Sequence, residues 1–507
     1  MNFLPNRYLE IKERCMAVAE APASMYVTEK MVSLPERLVK CFWYDQLLDR
    51  ARMKTADGRR VKVLAPGEWN LGPGPDFLSA CVELEGGGAP RRGDVEIHVR
   101  SGGWKAHGHD RNPEYDGVIL HVAMWNDTGG DFITDSKGGA IPQLILASCL
   151  EEDIVTLSAK VDMENYPYNS ESRLGRCKEA ADAAPDRARQ LLEMAAKERF
   201  FLKARRFARE LSREKFENVL YRGLLEGLGY RKNKKPFRRL AECVSLKAAR
   251  KARDAAPRMD RAAALEALYF GASGLLADLE VDMWDEETRE YCETAAHFWK
   301  EYRNLARPGA LRKSDWTLRG VRPANFPSRR VAGLAALMAR DGDGELVKTV
   351  RLFGGRLKES AGVKDMKQSL DALAEALGAD AEGYWARHMT PGGKLLDSTP
   401  ALIGKPLAMT LALNIVMPLL LGYAQEDNDV ELRDRILALF SVFPRLNANE
   451  ISKIMNHRLR GDAAGDPAFM KREAAQQGLI HVFFDFCDEN IKDCAACAFP
   501  KMLKMEE

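Results

Sequence analysis

The sequence predicts an α+β protein, in which an N-terminal core of helix and strands is followed by a large, mostly α-helical region. Short segments rich in β-branched and aromatic residues, separated by glycine and proline, lie between residues 59 and 125. Beyond roughly residue 185, apolar residues recur at the helical period of 3.6. With 507 residues, 46% hydrophobic and 30% charged, the chain has the composition of a globular protein with several domains.

The first predicted element is a helix that begins near Ser33. This serine stands where an N-cap is expected, Glu36 follows three residues later, and apolar residues then recur at helical spacing. Four β-rich segments come next, at 59–64, 76–84, 93–100 and 117–125. The order predicts a helix, three strands, a short crossover and a fourth strand.

The helical region begins with a long amphipathic helix. Its predicted buried face consists of Leu192, Ala196, Phe200, Ala204, Phe207 and Leu211. Segments rich in glycine, proline and charge predict breaks at 230–236, 306–328 and 390–400. We therefore divide the chain into an α/β domain, a basic helical domain and a helical domain with a C-terminal cysteine cluster, at 1–150, 151–310 and 311–507.

Composition argues against an exported or membrane protein. The N-terminus lacks the basic stretch and apolar run of a signal peptide. The most apolar stretch, 406–421, contains Asn414 and Pro418 and is shorter than the roughly 20 residues that a bilayer requires, so we interpret it as a buried helix. Ten cysteines in so long a chain do not suggest a disulfide framework. We expect a cytoplasmic protein without a membrane partner.

The chemically informative stretch runs from residue 67 to residue 122. Four of the eight histidines fall in it, at 98, 107, 109 and 121, and among its carboxylates are Asp76, Asp94 and Glu96. Because side chains alternate along a strand, Asp94, Glu96 and His98 share one face of the third predicted strand. On an inner strand they would need a metal or charge partner, whereas an edge strand could expose them to water.

The histidines outside this strand leave alternatives open. His107 and His109 flank Gly108 in a loop, where they could cap a turn, contact a substrate phosphate or bind a second metal. His121 lies inside an apolar segment, which favours a hydrogen-bonded core histidine. Residues expected to contact substrate are Glu36, Asp94, His107, His109 and Tyr115.

The strand order and its acids resemble the PD-(D/E)xK nuclease superfamily. Pro75-Asp76 and, about 20 residues later, Glu96-Ile97-His98 stand at the places of its motif, with Glu36 as the helix acid. The resemblance implies that Asp76 and Glu96 bind Mg²⁺ or Mn²⁺, with the Ile97 carbonyl as a further ligand. The sequence departs from the motif at His98, which stands where the motif has a lysine. Histidine can orient or deprotonate water, but it supplies no permanent charge.

A wider resemblance covers almost the whole chain. The segments GPDFLSA, GDVEIH, WKAHGH, YDGVILHV, RPANFPSRR and QQGLIHVFFDFC, with the later CAAC, are similar to an uncharacterised bacterial family known as domain-of-unknown-function family 2851. That resemblance implies no activity, because the family has no assigned function.

Nucleic acid is the expected partner because of a local charge excess. Although the whole chain carries a net charge of only +2, residues 181–260 contain 22 Lys and Arg against 11 Asp and Glu. Such a stretch can bind phosphates without sequence preference, or it can be a solvated helix face. The later RPANFPSRR stretch predicts either a helix start that accepts an anion or a domain-joining turn with arginine–carboxylate ties.

The C-terminal cysteines suggest a structural metal site. Cys487, Cys494 and Cys497 are grouped, and Cys177 could add a fourth thiolate from a distance. Three or four such ligands suit Zn²⁺ or, more weakly, an iron–sulfur cluster. The alternative is a set of unligated thiols near a frayed terminus.

Taken together, these patterns predict a metal-dependent nuclease or phosphodiesterase. Asp76 and Glu96 would hold the cation, His98 would position the water, and the basic helices would hold the polyanion. The rival hypothesis is a non-catalytic helical scaffold or nucleic-acid-binding protein that retains a degenerate nuclease fold. Convergence of Asp76, Glu96 and His98 would favour the enzyme, and divergence would favour the rival.

Overall fold

The computed structural model describes residues 7–17, 34–161, 163–167, 176–230, 232–276, 285–307, 311–318, 321–461, 468–487 and 497–504. The chain forms two compact units. One consists mainly of Arg199–Ala448, and the other mainly of Pro5–Glu198 together with Asn449–Gly465 and Gln477–Glu507.

The second of these units contains a mixed sheet of seven strands. In chain order these are β1 (Val61–Ala65), β2 (Glu68–Trp69), β3 (Phe77–Leu84), β4 (Arg91–Arg100), β5 (Val118–Trp125), β6 (Phe132–Thr134) and β7 (Ala140–Ile145). Their spatial order is β1-β3-β4-β5-β7-β6, with β2 paired to β3. β4, β5 and β7 are parallel, and the other pairs are antiparallel. The class predicted from the sequence, α+β, is confirmed.

The helices account for most of the remaining structure. They are α1 (Arg7–Ala17), α2 (Glu36–Tyr44), α3 (Gly103–Ala106), α4 (Ile154–Lys160), α5 (Cys177–Ala183), α6 (Pro185–Leu211), α7 (Phe216–Leu228), α8 (Lys234–Cys243), α9 (Leu246–Ala255), α10 (Arg261–Ser273), α11 (Glu286–Tyr302), α12 (Pro327–Ala339), α13 (Glu345–Glu359), α14 (Val363–Leu377), α15 (Tyr384–Arg387), α16 (Lys405–Leu411), α17 (Met417–Glu426), α18 (Val430–Val442), α19 (Glu450–Arg460), α20 (Glu473–Val482) and α21 (Phe499–Lys504).

The four predicted strands correspond to β1, β3, β4 and β5, and the predicted first helix is α2. Pro35 occupies the N-cap position of α2, whereas Ser33, the predicted cap, lies outside the described residues. Strands β2, β6 and β7 were not predicted, because two of them have only two or three residues and β7 contains Pro142. Short strands carry too few alternating positions for a periodicity to emerge.

One hydrophobic core lies between α2 and the sheet. The apolar face of α2 places Leu38 and Phe42 in this core, and β4 contributes Val95 and Ile97. Because β4 lies between β3 and β5, it is not an edge strand. Glu96 and His98, on its polar face, are buried as well, with only 6% and 2% of their surface exposed. The edge-strand alternative, in which water solvates these side chains, is wrong.

The long predicted helix is α6. Five of the six residues assigned to its inner face are buried, namely Leu192, Ala196, Phe200, Ala204 and Phe207, whereas Leu211 is partly exposed. The predicted breaks fall between α7 and α8, between α11 and α12, and between α15 and α16.

The most apolar segment, Lys405–Glu426, is long and apolar enough to cross a membrane, but 78% of its apolar window is buried inside the protein. It is one helical run in which a π-helical turn, Ala412–Val416, links α16 to α17. The wider turn precedes Pro418, which has no N–H to donate to the preceding turn. The interpretation of this segment as a buried helix is confirmed.

The predicted arginine-rich turn precedes α12. Arg329 and Arg330 lie in the first turn of this helix and are both buried. Arg329 donates to the carbonyl oxygens of Trp385, His388 and Pro400. Arg330 donates to the Leu402 carbonyl and the Asn325 side chain. The arginines thus tie loops to the helix through carbonyl oxygens rather than through the carboxylates that the sequence suggested.

Candidate functional site

Asp76 lies at the end of a loop that is closed by hydrogen bonds from Asn70. Asn70 donates its side-chain amide to the carbonyls of Pro73 and Pro75, and its backbone N–H donates to the Asp76 carbonyl at 2.8 Å. Prolines fix the backbone of this loop, and the asparagine satisfies its polar groups. Asp76 therefore enters β3 at a fixed position, one residue before the strand begins.

Two carboxylates are locked together across the β3–β4 pair. Glu96 Oε2 accepts a hydrogen bond from the backbone N–H of Asp76 at 2.9 Å, and Asp76 Oδ2 accepts one from the N–H of Ile97 at 3.1 Å. These reciprocal bonds fix both side chains. The arrangement follows from antiparallel pairing, in which Phe77 lies opposite Val95.

Helix α2 adds a lysine and a third carboxylate. Lys40 Nζ lies 2.8 Å from Asp76 Oδ1 and 3.0 Å from Glu36 Oε1, one turn earlier on the helix. Glu36, Lys40, Asp76 and Glu96 form what we call the acidic group. Three elements that are separate in sequence, α2, β3 and β4, meet in it.

Burial and like charge act on the carboxylates of the acidic group. Burial, and then the charge of Asp76, raise the pKa of Glu96 well above its ordinary value. Burial also raises the pKa of Asp76, although the ammonium of Lys40 opposes this effect. A buried site with three carboxylates and one lysine has an excess of negative charge, which favours protonation or a cation.

Three histidines adjoin Glu96 on the other side. His98 Nε2 lies 3.1 Å from His107 Nδ1, and His109 Nε2 lies 3.3 Å from Glu96 Oε1. One ligand atom from each of His98, His107 and His109 lies within 4.8 Å of the others. We call these three residues the imidazole group.

A buried hydrogen-bonded chain supports the imidazole group from behind. His98 Nδ1 lies 3.0 Å from His121 Nε2, and His121 Nδ1 lies 3.0 Å from Gln143 Oε1. Both ring nitrogens of His121 are thus occupied, as the core-histidine interpretation predicted. Burial lowers the pKa of His121 to about 4 and, together with the neighbouring histidines, lowers the pKa of His98 well below its ordinary value.

Aromatic packing orients the imidazole rings. Tyr115 stacks on His109 with ring centroids 3.8 Å apart, and Trp104 packs edge-on against His109 at 5.3 Å. Tyr115 also directs its hydroxyl toward the Gly74 carbonyl, on the loop before Asp76. Of the predicted substrate contacts, Glu36, His107, His109 and Tyr115 therefore lie together with the catalytic candidates.

Asp94 has a different environment. Its carboxylate accepts a hydrogen bond from the backbone N–H of Ser79, a residue with a positive φ of 57° at an irregularity of the β3–β4 pairing. It also lies 3.1 Å from the position that a Cβ at Gly117 would occupy. Asp94 thus supports the strand bend rather than extending the acidic group.

The site reaches solvent through His107, which is exposed, whereas His98 and His109 are buried. The side chains of Glu36, Lys40 and Asp76 retain 14% to 24% exposure. A separate surface depression of about 480 Å³ includes none of these residues and is lined by Gln46, Leu48, Asp49, Arg50 and Glu151. A substrate would therefore approach the two groups from the surface.

The predicted cysteine site is only partly described. The thiol of Cys177 donates to the Arg458 carbonyl at 3.6 Å. Burial raises the pKa of Cys487 to about 12, and the thiols of Cys177 and Cys497 add to this effect. Cys494 lies outside the described residues, so the structural metal site stays a prediction.

Sequence reasoning missed two residues of the site, Lys40 and Gln143. Lys40 follows Glu36 by four residues, so the two side chains share one face of a helix, which was the available signal. Gln143 lies on β7, a strand that was not predicted, and no local pattern marks it.

A family model described as "Protein of unknown function (DUF2851)" matches residues 36–449. No curated protein and no solved structure matches the chain. The matched region includes both groups of the candidate site and ends before Cys487.

Proposed function

The chain belongs to the DUF2851 family, a family of unknown function, and we propose that it is a metal-dependent phosphodiesterase that acts on nucleic acid. The observation that carries this proposal is the meeting of Asp76, Glu96 and Lys40 at one point, from three separate elements. The condition set by the sequence in favour of an enzyme was convergence of Asp76, Glu96 and His98. Asp76 and Glu96 are joined by hydrogen bonds across β3 and β4, and His98 Nε2 lies 4.0 Å from Glu96 Oε1.

The fold around the acidic group supports the proposal. One helix, a run of antiparallel strands and a parallel strand after a crossover follow the order expected of a PD-(D/E)xK core. In this chain Asp76 precedes β3 and Glu96 lies within β4, which are neighbouring strands. A site of this kind places its acids side by side at the strands, where a divalent cation can join them.

The residues of the acidic group fit a hard cation. Asp76 and Glu96 supply carboxylate oxygens, the ligands that Mg²⁺ and Mn²⁺ prefer. The ammonium of Lys40 partly offsets their charge and that of Glu36. When bound, the cation would lower the pKa of a water molecule and neutralise the charge on a phosphodiester.

Lys40 takes the role that the motif gives to a lysine at the position of His98. Its ammonium lies 2.8 Å from Asp76 Oδ1. Such a charge stabilises the negative charge that develops on a phosphate during hydrolysis. His98, held neutral, can accept a proton from water or bind a metal, and one lone pair cannot serve both roles at once.

Nucleic acid is proposed as the substrate because of the basic stretch 181–260. Part of its charge is neutralised internally, since Arg206, Arg222 and Arg238 pair with glutamates that include Glu210 and Glu226. We propose that Lys232, Lys234 and Lys235 contact phosphates. Replacing all three with Gln should reduce the slope of log Kd against log salt concentration by about three, because each lost phosphate contact lowers it by about one. An unchanged salt slope would show that these lysines do not touch phosphate.

The decisive experiment is a hydrolysis assay on single- and double-stranded DNA and RNA with Mn²⁺, with Mg²⁺ and with EDTA. We expect cleavage that depends on the metal and that falls at least 100-fold in Asp76→Asn and in Glu96→Gln. Glu83→Gln, on β3 with a half-exposed side chain that pairs with Lys62, is the matched control and should keep its activity.

A second measurement separates an inactive site from a misfolded one. Because Asp76→Asn and Glu96→Gln relieve buried carboxylate repulsion, the metal-free variants should be no less stable than the wild type. Binding of nucleic acid without cleavage under every metal condition would favour the rival, a binding protein with a degenerate nuclease fold. Unchanged Mn²⁺ affinity in both variants would eliminate the metal site at these acids.

A further inference from the structure

The imidazole group lies beside the acidic group, and its chemistry is different. Two imidazole nitrogens, from His98 and His107, are 3.1 Å apart, and a third, from His109, adjoins Glu96 Oε1. Imidazole is a borderline ligand that suits Zn²⁺ and its transition-metal neighbours, whereas Mg²⁺ prefers oxygen. The question is whether this group is built to receive a cation or an anion.

The hydrogen-bonded chain behind His98 answers it. Gln143 donates its amide N–H to the Gly130 carbonyl at 2.9 Å, which turns its Oε1 toward His121. His121 must then carry its proton on Nδ1, so its Nε2 accepts a hydrogen bond from the Nδ1–H of His98. This assignment leaves the lone pair of His98 on Nε2, where it accepts a hydrogen bond from the Nδ1–H of His107 and lies 4.0 Å from Glu96 Oε1.

A lone pair and a carboxylate at the same place repel an anion. A phosphate oxygen would meet the Nε2 lone pair of His98 and, about 4 Å away from it, Glu96 Oε1. A cation would be attracted by both. The arrangement therefore disfavours the phosphate-contact role for these histidines and favours a metal.

We propose that His98, His107 and His109, together with Glu96, bind a divalent transition metal of the Zn²⁺ type. Glu96 presents Oε2 to the acidic group and Oε1 to the imidazole group, so that it adjoins both. The use of this metal in hydrolysis rests on the proposed function, whereas binding itself can be measured on a protein without activity.

The surroundings have the features of a supported metal site. The Gln143–His121 chain fixes the tautomer of His98, as outer residues do for metal-bound histidines. Gly103 approaches the His98 ring so closely that a Cβ there would lie 2.5 Å from its Cδ2, which holds the ring in place. His107 is exposed and leaves a path for the metal and for a substrate to reach it.

The test uses Co²⁺ as a spectroscopic substitute for Zn²⁺ in the full chain, stripped of metal with EDTA. We expect Co²⁺ bound by the imidazole group to show visible ligand-field bands, and we expect Zn²⁺ but not Mg²⁺ to compete for this site. The variants His107→Ala and His109→Gln should each weaken Co²⁺ binding at least tenfold. The exposed His297→Ala is the matched control and should bind Co²⁺ as the wild type does.

Other outcomes identify other sites. A near-ultraviolet sulfur-to-Co²⁺ charge-transfer band that persists in both histidine variants, but disappears in Cys487→Ser, would place the metal at the cysteines and overturn the inference. Unchanged affinity in His107→Ala and His109→Gln would overturn it as well, and exposed His107 allows that variant to fold. Loss of Co²⁺ binding in either variant, measured with the fold intact by circular dichroism, supports the imidazole site.

The results also separate this inference from the proposed function. If the imidazole group binds Co²⁺ and the protein hydrolyses no nucleic acid, the result supports the metal site and contradicts the proposed phosphodiesterase activity. If the protein cleaves nucleic acid with Mg²⁺ but binds no Co²⁺ at these histidines, the result supports the phosphodiesterase activity and contradicts the metal site at the imidazole group.

Discussion

At the residue scale, the position of one positive charge is the main result. The PD-(D/E)xK motif, which the sequence only resembles, has a lysine two residues after the strand glutamate, where this chain has His98. The structure places Lys40, from α2, against Asp76 instead. A charge acts through distance in space, so a lysine on a neighbouring helix can stabilise the same atoms as one on the strand.

Replacing Lys40 tests this assignment. In Lys40→Met we expect the rate of phosphodiester cleavage to fall about 100-fold, because one preorganised charge is removed. Mn²⁺ affinity should not decrease, since the variant removes a cation that competes with the metal. The measurement is kcat together with calorimetric Mn²⁺ binding, with the exposed Lys62→Met as control. An unchanged kcat, or a parallel loss of rate and Mn²⁺ binding, would exclude this role.

At the element scale, the central position of β4 determines the environment of the site. Strand β4 pairs with β3 on one side and with β5 on the other, and both of its faces are buried. Its apolar face packs in the core with α2, while its polar face meets the loop that carries α3 and the imidazoles. An element that can expose neither face must pair its polar side chains internally.

Gly103 of α3 tests how closely this loop packs on β4. In Gly103→Ala the new Cβ would lie 2.5 Å from His98 Cδ2, so the ring or the helix has to move. We expect a loss of stability of about 2 kcal/mol and weaker Co²⁺ binding, although no ligand is removed. Gly355→Ala, in α13 with no atom within 4 Å of the added Cβ, should instead stabilise the chain by about 0.5 kcal/mol. Equal effects of the two substitutions in urea unfolding would contradict this account.

The helical unit contains a buried ion network that can be tested in the same way. Glu226 of α7 accepts from Arg206 and Arg238, and its side chain is only 9% exposed. In Glu226→Gln both guanidinium groups lose a buried partner, at a cost of about 3 kcal/mol. Glu193→Gln breaks an exposed pair with Arg189 and should change the free energy of unfolding by less than about 0.5 kcal/mol. If both variants lose a similar free energy of unfolding, the buried network stabilises the chain no more than the exposed pair does.

At the scale of the whole molecule, buried acids determine how stability depends on pH. Glu266, in α10, accepts hydrogen bonds from Tyr291 and Trp385 in the interior of the helical unit. Burial raises the pKa of Glu266 from 4.5 to about 7. Between these two values the folded protein holds a proton that the unfolded chain has released, so the stabilisation is full below pH 4.5 and is lost as pH rises through 7.

Urea unfolding of the full chain at pH 5 and pH 8 measures this effect. Relative to Glu266→Gln, which cannot ionise but can still accept both hydrogen bonds, the wild type should lose about 2 kcal/mol of stability between the two pH values. The exposed Glu375→Gln is the control and should follow the wild type. If the difference between the wild type and Glu266→Gln is the same at both pH values, Glu266 does not titrate in this range.

The sequence by itself determined the α+β class, α2, four strands, the long amphipathic helix and the buried nature of the apolar segment. These features follow from local periodicity, capping and turn residues, which act over a few neighbouring positions. Asp76 and Glu96 were also named from the sequence, because they stand at the places of the PD-(D/E)xK motif that it resembles.

Only the tertiary structure decided which side chains meet. Strand order made β4 internal, brought Lys40 to Asp76, and joined the imidazole group to His121 and Gln143 across β5 and β7. Each of these contacts links residues of different elements, and no local pattern specifies their separation in space. The charge balance of the site and the tautomer of His98 depend on those contacts, which is why they were decided by the packing of the sheet and α2 rather than by any single segment.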